Sequence, residues 1–276
     1  MWILKRGPNS KLLMTLAIFC VGIIISVVIT IELSGCFIRP TTPDFPLPLP
    51  PSCQQLVVVV TPTWESCKGT LYRFDYSARF AGWYQNGQSC PIILGRHGMG
   101  WGRGLHQISS DKEPIKTEGD GRSPAGVFQL GSAFGFPPVN TMRHLRLPYI
   151  RVTNQLECVD DPESRYYTRL LERNQVDSVD WQSAENLSQA SRAYYLGVVI
   201  EHNTVATQKN AGSCVFLHCW TAPDDATPGC TTLERKDMEI LVNWLNAAAE
   251  PVLVQLPLSV YRTYQKAWKL PDLPVN

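Results

Sequence analysis

Residues 216–241 read FLHCWTAPDDATPGCTTLERKDMEIL and place an apolar run, a polar loop and an amphipathic segment next to one another. The apolar run predicts a strand, with His218 near its end. Cys230 follows twelve residues later. Beyond it, apolar residues recur at helical spacing as far as Ala248, and the letters TTLE fit a capping box with Thr231 as N-cap. The stretch therefore predicts a strand, a loop and a helix that begins directly after Cys230.

Cys230 has the surroundings of a nucleophile if the helix begins there. The unpaired N–H groups and the positive dipole end of a helix favour a thiolate over a thiol. The same N–H groups would form an oxyanion hole, which stabilises the tetrahedral intermediate of acyl transfer. Gly229 permits a tight turn and leaves room for a substrate.

Strand alternation gives His218 a direction. It places His218 on the same face as Cys214 and Phe216, and Cys219 on the opposite, more apolar face. His218 then faces the loop that carries Cys230. A histidine within hydrogen-bond reach of a cysteine is the minimal activated pair, acting as base for the attack and as acid for the leaving amine.

Two other uses of these residues stay open at this point. A disulfide that includes Cys230 competes with catalysis, since the sequence does not determine the pairing. A zinc site built from Cys214, His218, Cys219 and Cys230 is disfavoured, because the spacing lacks Cys-x₂-Cys and alternation turns Cys219 away. We therefore expect no metal site, and no cofactor either, since a thiolate and an imidazole supply both the proton and the electron-pair chemistry.

The rest of the sequence from residue 55 onward predicts a mostly β domain of the β-rich α+β class. Short β-branched or aromatic runs bounded by Gly, Pro and Asn predict strands. These runs are residues 55–61, 70–76, 90–94, 126–130, 194–200, 213–220 and 252–256. A second, weaker helix is predicted at 162–173, and the glycine-rich segment 95–122 is predicted to be loop.

The N-terminus predicts export and attachment to a membrane. Residues 12–31 form an apolar run without a charge that follows three basic residues, and such a length suits a membrane-spanning helix. The letters LSGC ending at Cys36 resemble the bacterial lipobox, whose cysteine is lipidated. Residues 1–36 are thus a lipoprotein-type signal or an uncleaved anchor, and 37–54 are a proline-rich linker.

Composition bounds the remaining possibilities. The chain has 276 residues, 44% of them hydrophobic and 18% charged, with a formal net charge of +1. These values indicate a globular domain, predicted at 55–257 with a packed tail at 258–276, and give no electrostatic reason for nucleic-acid binding. Six of the nine cysteines remain for disulfides whose pairing stays open. They are Cys53, Cys67, Cys90, Cys158, Cys214 and Cys219.

Three segments together resemble the L,D-transpeptidase catalytic (YkuD-like) domain family of bacteria. KTEGDGRSPAGVF at 116–128 is similar to the K-x-GDG-[RK]-[ST]-P-x-G-x-[FY] motif, and GRHGMGWGRGL at 95–105 resembles the preceding strand and loop. SCVFLHCW followed by TPGCTTL resembles the active-site signature. This chain has Pro228 where the family often has a second histidine, and Thr232 where an arginine is common.

The resemblance implies a mixed β-sandwich with the cysteine in a cleft, and acyl transfer on peptidoglycan stem peptides. Cys230 would be the nucleophile, His218 its base, and the N–H groups of Gly229 and Cys230 the oxyanion donors. Thr227 and Thr231, on either side of the Gly-Cys pair, are assigned to substrate binding. The expected location is the bacterial cell envelope, with the domain tethered to a membrane and facing the periplasm.

Two alternatives to an L,D-transpeptidase remain. One is a cysteine hydrolase on the same scaffold, either an L,D-carboxypeptidase or an amidase. The other is a non-enzymatic wall-binding domain in which Cys230 is locked in a disulfide.

Overall fold

A computed structural model describes residues 48–79, 82–107 and 112–274. The predicted signal or anchor, its Cys36 and most of the proline-rich linker lie outside these residues. Within the described ranges, no helix combines the length and the apolar character needed to cross a membrane.

The described chain is dominated by strands, as the sequence predicts. The strands β1 to β14 are, in order, Gln55–Thr61, Lys68–Ser77, Gly82–Gln85, Cys90–Ile93, Met99–Trp101, Ser123–Gly135, Tyr149–Arg151, Leu156–Val159, Leu170–Glu172, Ala184–Asn186, Leu196–Ile200, Phe216–Cys219, Thr231–Leu233 and Val252–Pro257. Helices α1 and α2 are Arg235–Trp244 and Leu258–Gln265. Short 3₁₀ turns lie at Val139–Thr141, Arg173–Gln175, Leu187–Ala190, Ala193–Tyr195 and Ala247–Ala249.

Most strands belong to one 11-stranded sheet that mixes parallel and antiparallel pairs. Its order is β1-β14-β6-β11-β12-β13-β4-β2-β3, with β5 and β7 attached to β6. Because β1 pairs with β2 as well as with β14, the hydrogen-bonding path returns to its start. A separate sheet has the order β10-β8-β9 and is called the small sheet below.

The main core lies along β1 and its neighbours. All seven residues of β1, QLVVVVT, are buried, which explains why this strand reads as a continuous apolar run rather than an alternating one. A second apolar cluster contains Phe134, Tyr194 and Phe216 together with Cys230. β12 separates the two clusters by alternation: Leu217 and Cys219 belong to the main core, whereas Phe216 belongs to the second cluster. The predicted apolar direction of Cys219 is therefore confirmed.

Two local predictions differ from the structure. The segment predicted to be a weak helix at 162–173 forms turns and β9, because it folds back to pair with β8. The glycine-rich segment 95–122 contains β5, which is held by β6 through parallel pairing. The tail predicted to pack on the domain contains α2, whose Tyr261 is buried in the main core.

The glycine of the SPAGVF segment has a steric reason. Gly126 has φ +137°, and a Cβ built there would lie 1.9 Å from Cε1 of His106. The ring of His106 occupies that space and accepts a hydrogen bond from the Val127 N–H at 3.0 Å. Gly126 therefore lets a loop histidine pack directly on the backbone of β6.

Candidate active site

A cleft of about 340 Å³ contains most of the residues that the sequence selects. Cys230, His218, Gly229 and Thr227 all line it. β12, which carries His218, and β13, which follows Cys230, are parallel neighbours in the sheet. Strand pairing therefore brings together the two residues of the predicted catalytic pair.

Cys230 is a free thiol with only 8% of its surface exposed. Its Sγ accepts a hydrogen bond from the Phe216 N–H at 3.4 Å and donates one to the Cys214 carbonyl at 3.6 Å. Burial raises the pKa of the thiol to about 12, and the charge of Glu185 acts in the same direction, whereas the Phe216 N–H and the Lys116 ammonium lower it. The thiol is therefore protonated at neutral pH.

The predicted helix start directly after Cys230 is wrong. Thr231–Leu233 form β13, and α1 begins at Arg235 after Glu234 as N-cap. The β-branched Thr231 and Thr232 suit a strand, and β13 completes the ladder between β12 and β4. Cys230 therefore precedes a strand, and the helix dipole invoked for its thiolate is missing at that position.

His218 is a buried, neutral imidazole. Its Nδ1 lies 2.9 Å from the Cys219 carbonyl oxygen, and its ring centroid lies 4.9 Å from that of Tyr194. Burial lowers the pKa of His218 to about 4, against hydrogen bonds from the imidazole to the backbones of Cys219 and Ala193, which raise it. Because a carbonyl oxygen only accepts, we assign the proton to Nδ1, which leaves Nε2 as the basic nitrogen.

Cys230 and His218 line the same cleft without sharing a hydrogen bond. Among the described residues, the hydrogen-bond partners of the sulfur are the backbones of Phe216 and Cys214. The predicted hydrogen bond between the sulfur and the imidazole is thus not formed in this structure. Catalytic hydrogen bonds often form only when substrate is bound, and here the thiol must first leave the Cys214 carbonyl.

The loop before β13 is held by side chains that bind its own backbone. Thr227 Oγ1 donates to the Cys230 carbonyl at 2.6 Å and accepts from the Gly229 N–H at 3.1 Å. Ser123 Oγ donates to the same carbonyl at 3.0 Å. Along the described chain no hydrogen bond uses the Cys230 N–H. Of the two amides predicted to bind an oxyanion, Gly229 is engaged within the loop and Cys230 is available.

Comparison with protein families decides what kind of domain this is. The profile of the L,D-transpeptidase catalytic domain, YkuD, matches residues 71–254. The match covers more than half of the chain and includes His218 and Cys230. The chain belongs to this family.

Two further comparisons add little to the assignment to the YkuD family. A search of curated proteins finds no match. A solved structure, that of the helical cell shape determining protein Pgp2 from Campylobacter jejuni, is 13% identical with a TM-score of 0.37. The similarity covers 74% of this chain and 48% of the other, so the chain spans about half the length of that relative. At this TM-score the similarity supports no conclusion about fold or function.

The YkuD domain places a cation beside the thiol that sequence reasoning missed. Lys116, the first residue of KTEGDGRSPAGVF, lines the cleft with a side chain only 4% exposed. Its Nζ lies 2.6 Å from Asp120 Oδ1 and donates to the Thr117 carbonyl at 2.8 Å. Asp120 also accepts from the N–H groups of Thr117 and Arg122, which closes the turn. The sequence did contain a signal for this ion pair: Lys116 is the first residue of the motif, and Asp120 follows four residues later.

Two acidic residues that line the cleft, Glu185 and Asp160, were also missed. Glu185 of β10 accepts a hydrogen bond from the Tyr194 hydroxyl. Burial raises the pKa of Glu185, and the charge of Asp160 adds to the increase. Asp160 Oδ1 is buried without a hydrogen-bond partner in the described chain. No sequence motif marks these residues, because the small sheet brings them to the cleft from a separate segment.

The structure forms one of the disulfides that the sequence left open. Cys158 of β8 is bonded to Cys214, with a Cα–Cα distance of 5.7 Å. The bond ties the small sheet to the residue whose carbonyl accepts the Cys230 thiol. It also removes Cys214 from any metal site. Among the described residues, no group of three or more His, Cys, Asp and Glu could hold a metal ion.

Thr231 lies away from the cleft. It is fully buried, and its Oγ1 donates to Gln255 Oε1 at 2.8 Å, which ties β13 to β14. Its position does not support the substrate-binding role assigned from the sequence. Thr227 does line the cleft, but its hydroxyl is engaged with the loop backbone.

Proposed function

We propose that this protein is an envelope-anchored L,D-transpeptidase that transfers acyl groups between peptidoglycan stem peptides through a thioester on Cys230. The observation that carries the proposal is the pairing, within one cleft of a YkuD domain, of a free thiol and a neutral imidazole. These are the two groups that cysteine acyl transfer requires.

The first half-reaction would form the thioester. Cys230 Sγ leaves the Cys214 carbonyl and passes its proton to His218 Nε2 as it attacks the carbonyl carbon between the diamino acid at position three and the D-residue at position four. The Cys230 N–H stabilises the oxyanion, and the Lys116 ammonium favours the ionised sulfur. Collapse of the intermediate breaks the C–N bond, and His218 returns the proton to the leaving amine.

The second half-reaction would transfer the acyl group to an amine of another stem peptide. The amine attacks the thioester carbon and gives a proton to His218, and the C–S bond breaks to regenerate Cys230. The Cys219 carbonyl, through its contact with Nδ1, keeps the imidazole oriented in both steps. If water replaces the amine, the same sequence describes the hydrolase.

We also propose that the domain works outside the cytoplasm. Residues 1–36 would provide the signal or anchor, with Cys36 as the lipidation site in the lipoprotein case, and the proline-rich segment would lift the domain off the membrane. The Cys158–Cys214 disulfide supports an oxidising compartment such as the periplasm.

The test is muropeptide mass spectrometry of cell walls from cells that produce the wild-type chain or the Cys230→Ser variant. The wild type should increase the amount of cross-linked dimers. The Cys230→Ser variant should form them with a turnover at least about a thousandfold lower. Cys67→Ser removes another free thiol and serves as the control, with activity retained.

Shortened monomers without new dimers would support the hydrolase instead. Unchanged activity in Cys230→Ser would overturn both enzymatic assignments. Mass mapping of a covalent β-lactam adduct to the peptide that contains Cys230 provides an independent check.

A further inference from the structure

A second cavity, of about 170 Å³, shares the wall residues Cys214 and Val215 with the catalytic cleft. Cys158 also lines it, so the disulfide forms part of its wall. Neither Cys230 nor His218 lines this cavity. It is therefore a separate compartment next to the cleft.

Two hydroxyl groups in this cavity lack partners. Thr168 Oγ1 and Thr204 Oγ1 are buried, and within the described chain neither makes a hydrogen bond. Thr168 as a whole is only 7% exposed. Buried polar atoms in proteins are normally hydrogen-bonded, so two orphaned hydroxyls in one cavity indicate a polar occupant.

Two opposite charges line the same cavity. They belong to Glu201, which is half-buried, and to Arg169, which is exposed to solvent on its other side. In the described part of the chain, neither side chain forms an ion pair or a hydrogen bond, with the other or with a third group. Because an anion and a cation line one cavity without partners, a ligand that carries both charges could form a charge-assisted hydrogen bond with each of them.

The wall of the cavity also holds a strained residue. Thr168 has φ +73°, in the left-handed region that β-branched residues avoid. Its N–H donates to the Val159 carbonyl at 2.9 Å, which holds it in place. Such conformations persist where surrounding structure imposes them, and they occur often at binding sites.

We propose that this cavity binds a small zwitterionic α-amino acid. The ammonium group pairs with Glu201, the carboxylate pairs with Arg169, and the hydroxyls of Thr168 and Thr204 complete the hydrogen bonds. The volume corresponds to about six water molecules, which suits an amino acid with a short side chain. The proposed acyl transfer releases a D-amino acid in the adjacent cleft, but binding in this cavity does not depend on that reaction.

The experiment uses the full-length chain in detergent with Cys230→Ala, so that the catalytic cleft cannot react. D-alanine, L-alanine and glycine are titrated by isothermal calorimetry and by saturation-transfer NMR. We expect saturable binding, weakened by at least about tenfold in Glu201→Gln and in Thr168→Val. Glu163→Gln, an exposed acid paired with Lys209, is the matched control and should bind like the parent.

Acetate and methylamine, which carry one charge each, should bind at least about tenfold more weakly than alanine. A preference for D-alanine would indicate the reaction product as the physiological ligand, and equal binding of both enantiomers would indicate any small amino acid. Absence of saturable binding, or binding unaffected by Glu201→Gln and Thr168→Val, overturns the proposal.

Thr168→Gly separates ligand binding from a structural role. Glycine relieves the left-handed strain and removes the hydroxyl, so the melting temperature should stay or rise while alanine binding weakens. A lower melting temperature with unchanged binding would show that Thr168 serves the fold alone and would overturn its assignment. The result is independent of the muropeptide test, because it measures binding in a variant without a nucleophile.

Discussion

The two walls of the candidate active-site cleft affect the Cys230 thiol in different ways. At the thiol wall, made of His218 and the loop 227–230, hydrogen bonds from Thr227 and Ser123 to the Cys230 carbonyl hold Cys230 in place. Burial is the main reason why the pKa of the Cys230 thiol is raised, and the acid wall, made of Asp160, Glu185 and Tyr194, adds to the increase through the Glu185 carboxylate. Position and ionisation of one sulfur atom are therefore set by different segments of the chain.

Replacement of His218 tests the thiol wall and should have the largest effect. His218→Gln should slow acylation of Cys230 by a β-lactam by about 10²–10⁴-fold, since the thiol loses its base. Because burial lowers the pKa of His218 to about 4, the imidazole stays unprotonated and wild-type acylation should hold from about pH 8 to about pH 5, then fall as the pH nears 4. Stopped-flow spectroscopy measures both.

His144→Gln is the matched control, since His144 is exposed and does not line the cleft. Its acylation rate should equal that of the wild type. A His218→Gln variant that keeps the wild-type rate would show that another group, or water, takes the thiol proton.

Removal of the disulfide tests how the acid wall is held to the thiol wall. The bond closes a loop with a sequence separation of 56, so Cys158→Ser with Cys214→Ser should lower the free energy of unfolding by about 4 kcal/mol. Chemical denaturation measures the loss. Cys67→Ser with Cys90→Ser, which removes two free thiols, should cost less than about 1 kcal/mol. Equal losses in the two double variants would contradict a special role for the bond.

Thr227→Val tests the loop itself. The change removes one hydrogen bond to the Cys230 carbonyl and one from the Gly229 N–H, so unfolding should become easier by about 2 kcal/mol. Acylation should slow roughly tenfold, because the sulfur is less well positioned. Thr263→Val, an exposed threonine that bonds the Ser259 carbonyl, is the control and should change neither quantity appreciably. An unaffected acylation rate in Thr227→Val would show that Ser123 alone positions the loop.

Glu185→Gln tests the acid wall and should have the smallest effect. Loss of the carboxylate charge should lower the pKa of Cys230, and alkylation by iodoacetamide at fixed pH should become a few-fold faster. Glu239→Gln, an exposed acid of α1 paired with Arg235, should leave the alkylation rate unchanged. A slower rate in Glu185→Gln would mean that Glu185 supports the thiol rather than opposing its ionisation.

Sequence reasoning predicted the strands that carry a continuous apolar signal. The run 55–61 matches β1, and 252–256 lies within β14. The strands of the small sheet were missed, because segments of three or four residues carry too few positions for a periodic pattern. Thr231–Leu233 was predicted to begin a helix but forms a strand. The capping-box pattern reports only a local preference, whereas the pairing with β4 depends on residues distant in sequence.

The same distinction applies to the cleft. Cys230 and His218 could be selected from one short stretch, since a parallel strand pair brings them together. Lys116 stood within a recognised motif, yet its burial next to the thiol depends on the folded turn around Asp120. Glu185 could not be found, because only the pairing of β10 with β8 carries it to the cleft.

The parallel pairing of β12 with β13 also separates the geometry of the reactive pair from the length of the chain that joins them. His218 and Thr231, the residue after Cys230, are each anchored in the sheet by the pairing of β12 with β13, and the residues at 221–225 between them are exposed. Closing a longer loop costs little, about 0.6 kcal/mol for each doubling of its length. Insertions at 221–225 should therefore leave Cys230 Sγ and the His218 ring where they are, so the spacing of the two groups in space does not depend on the number of residues between them.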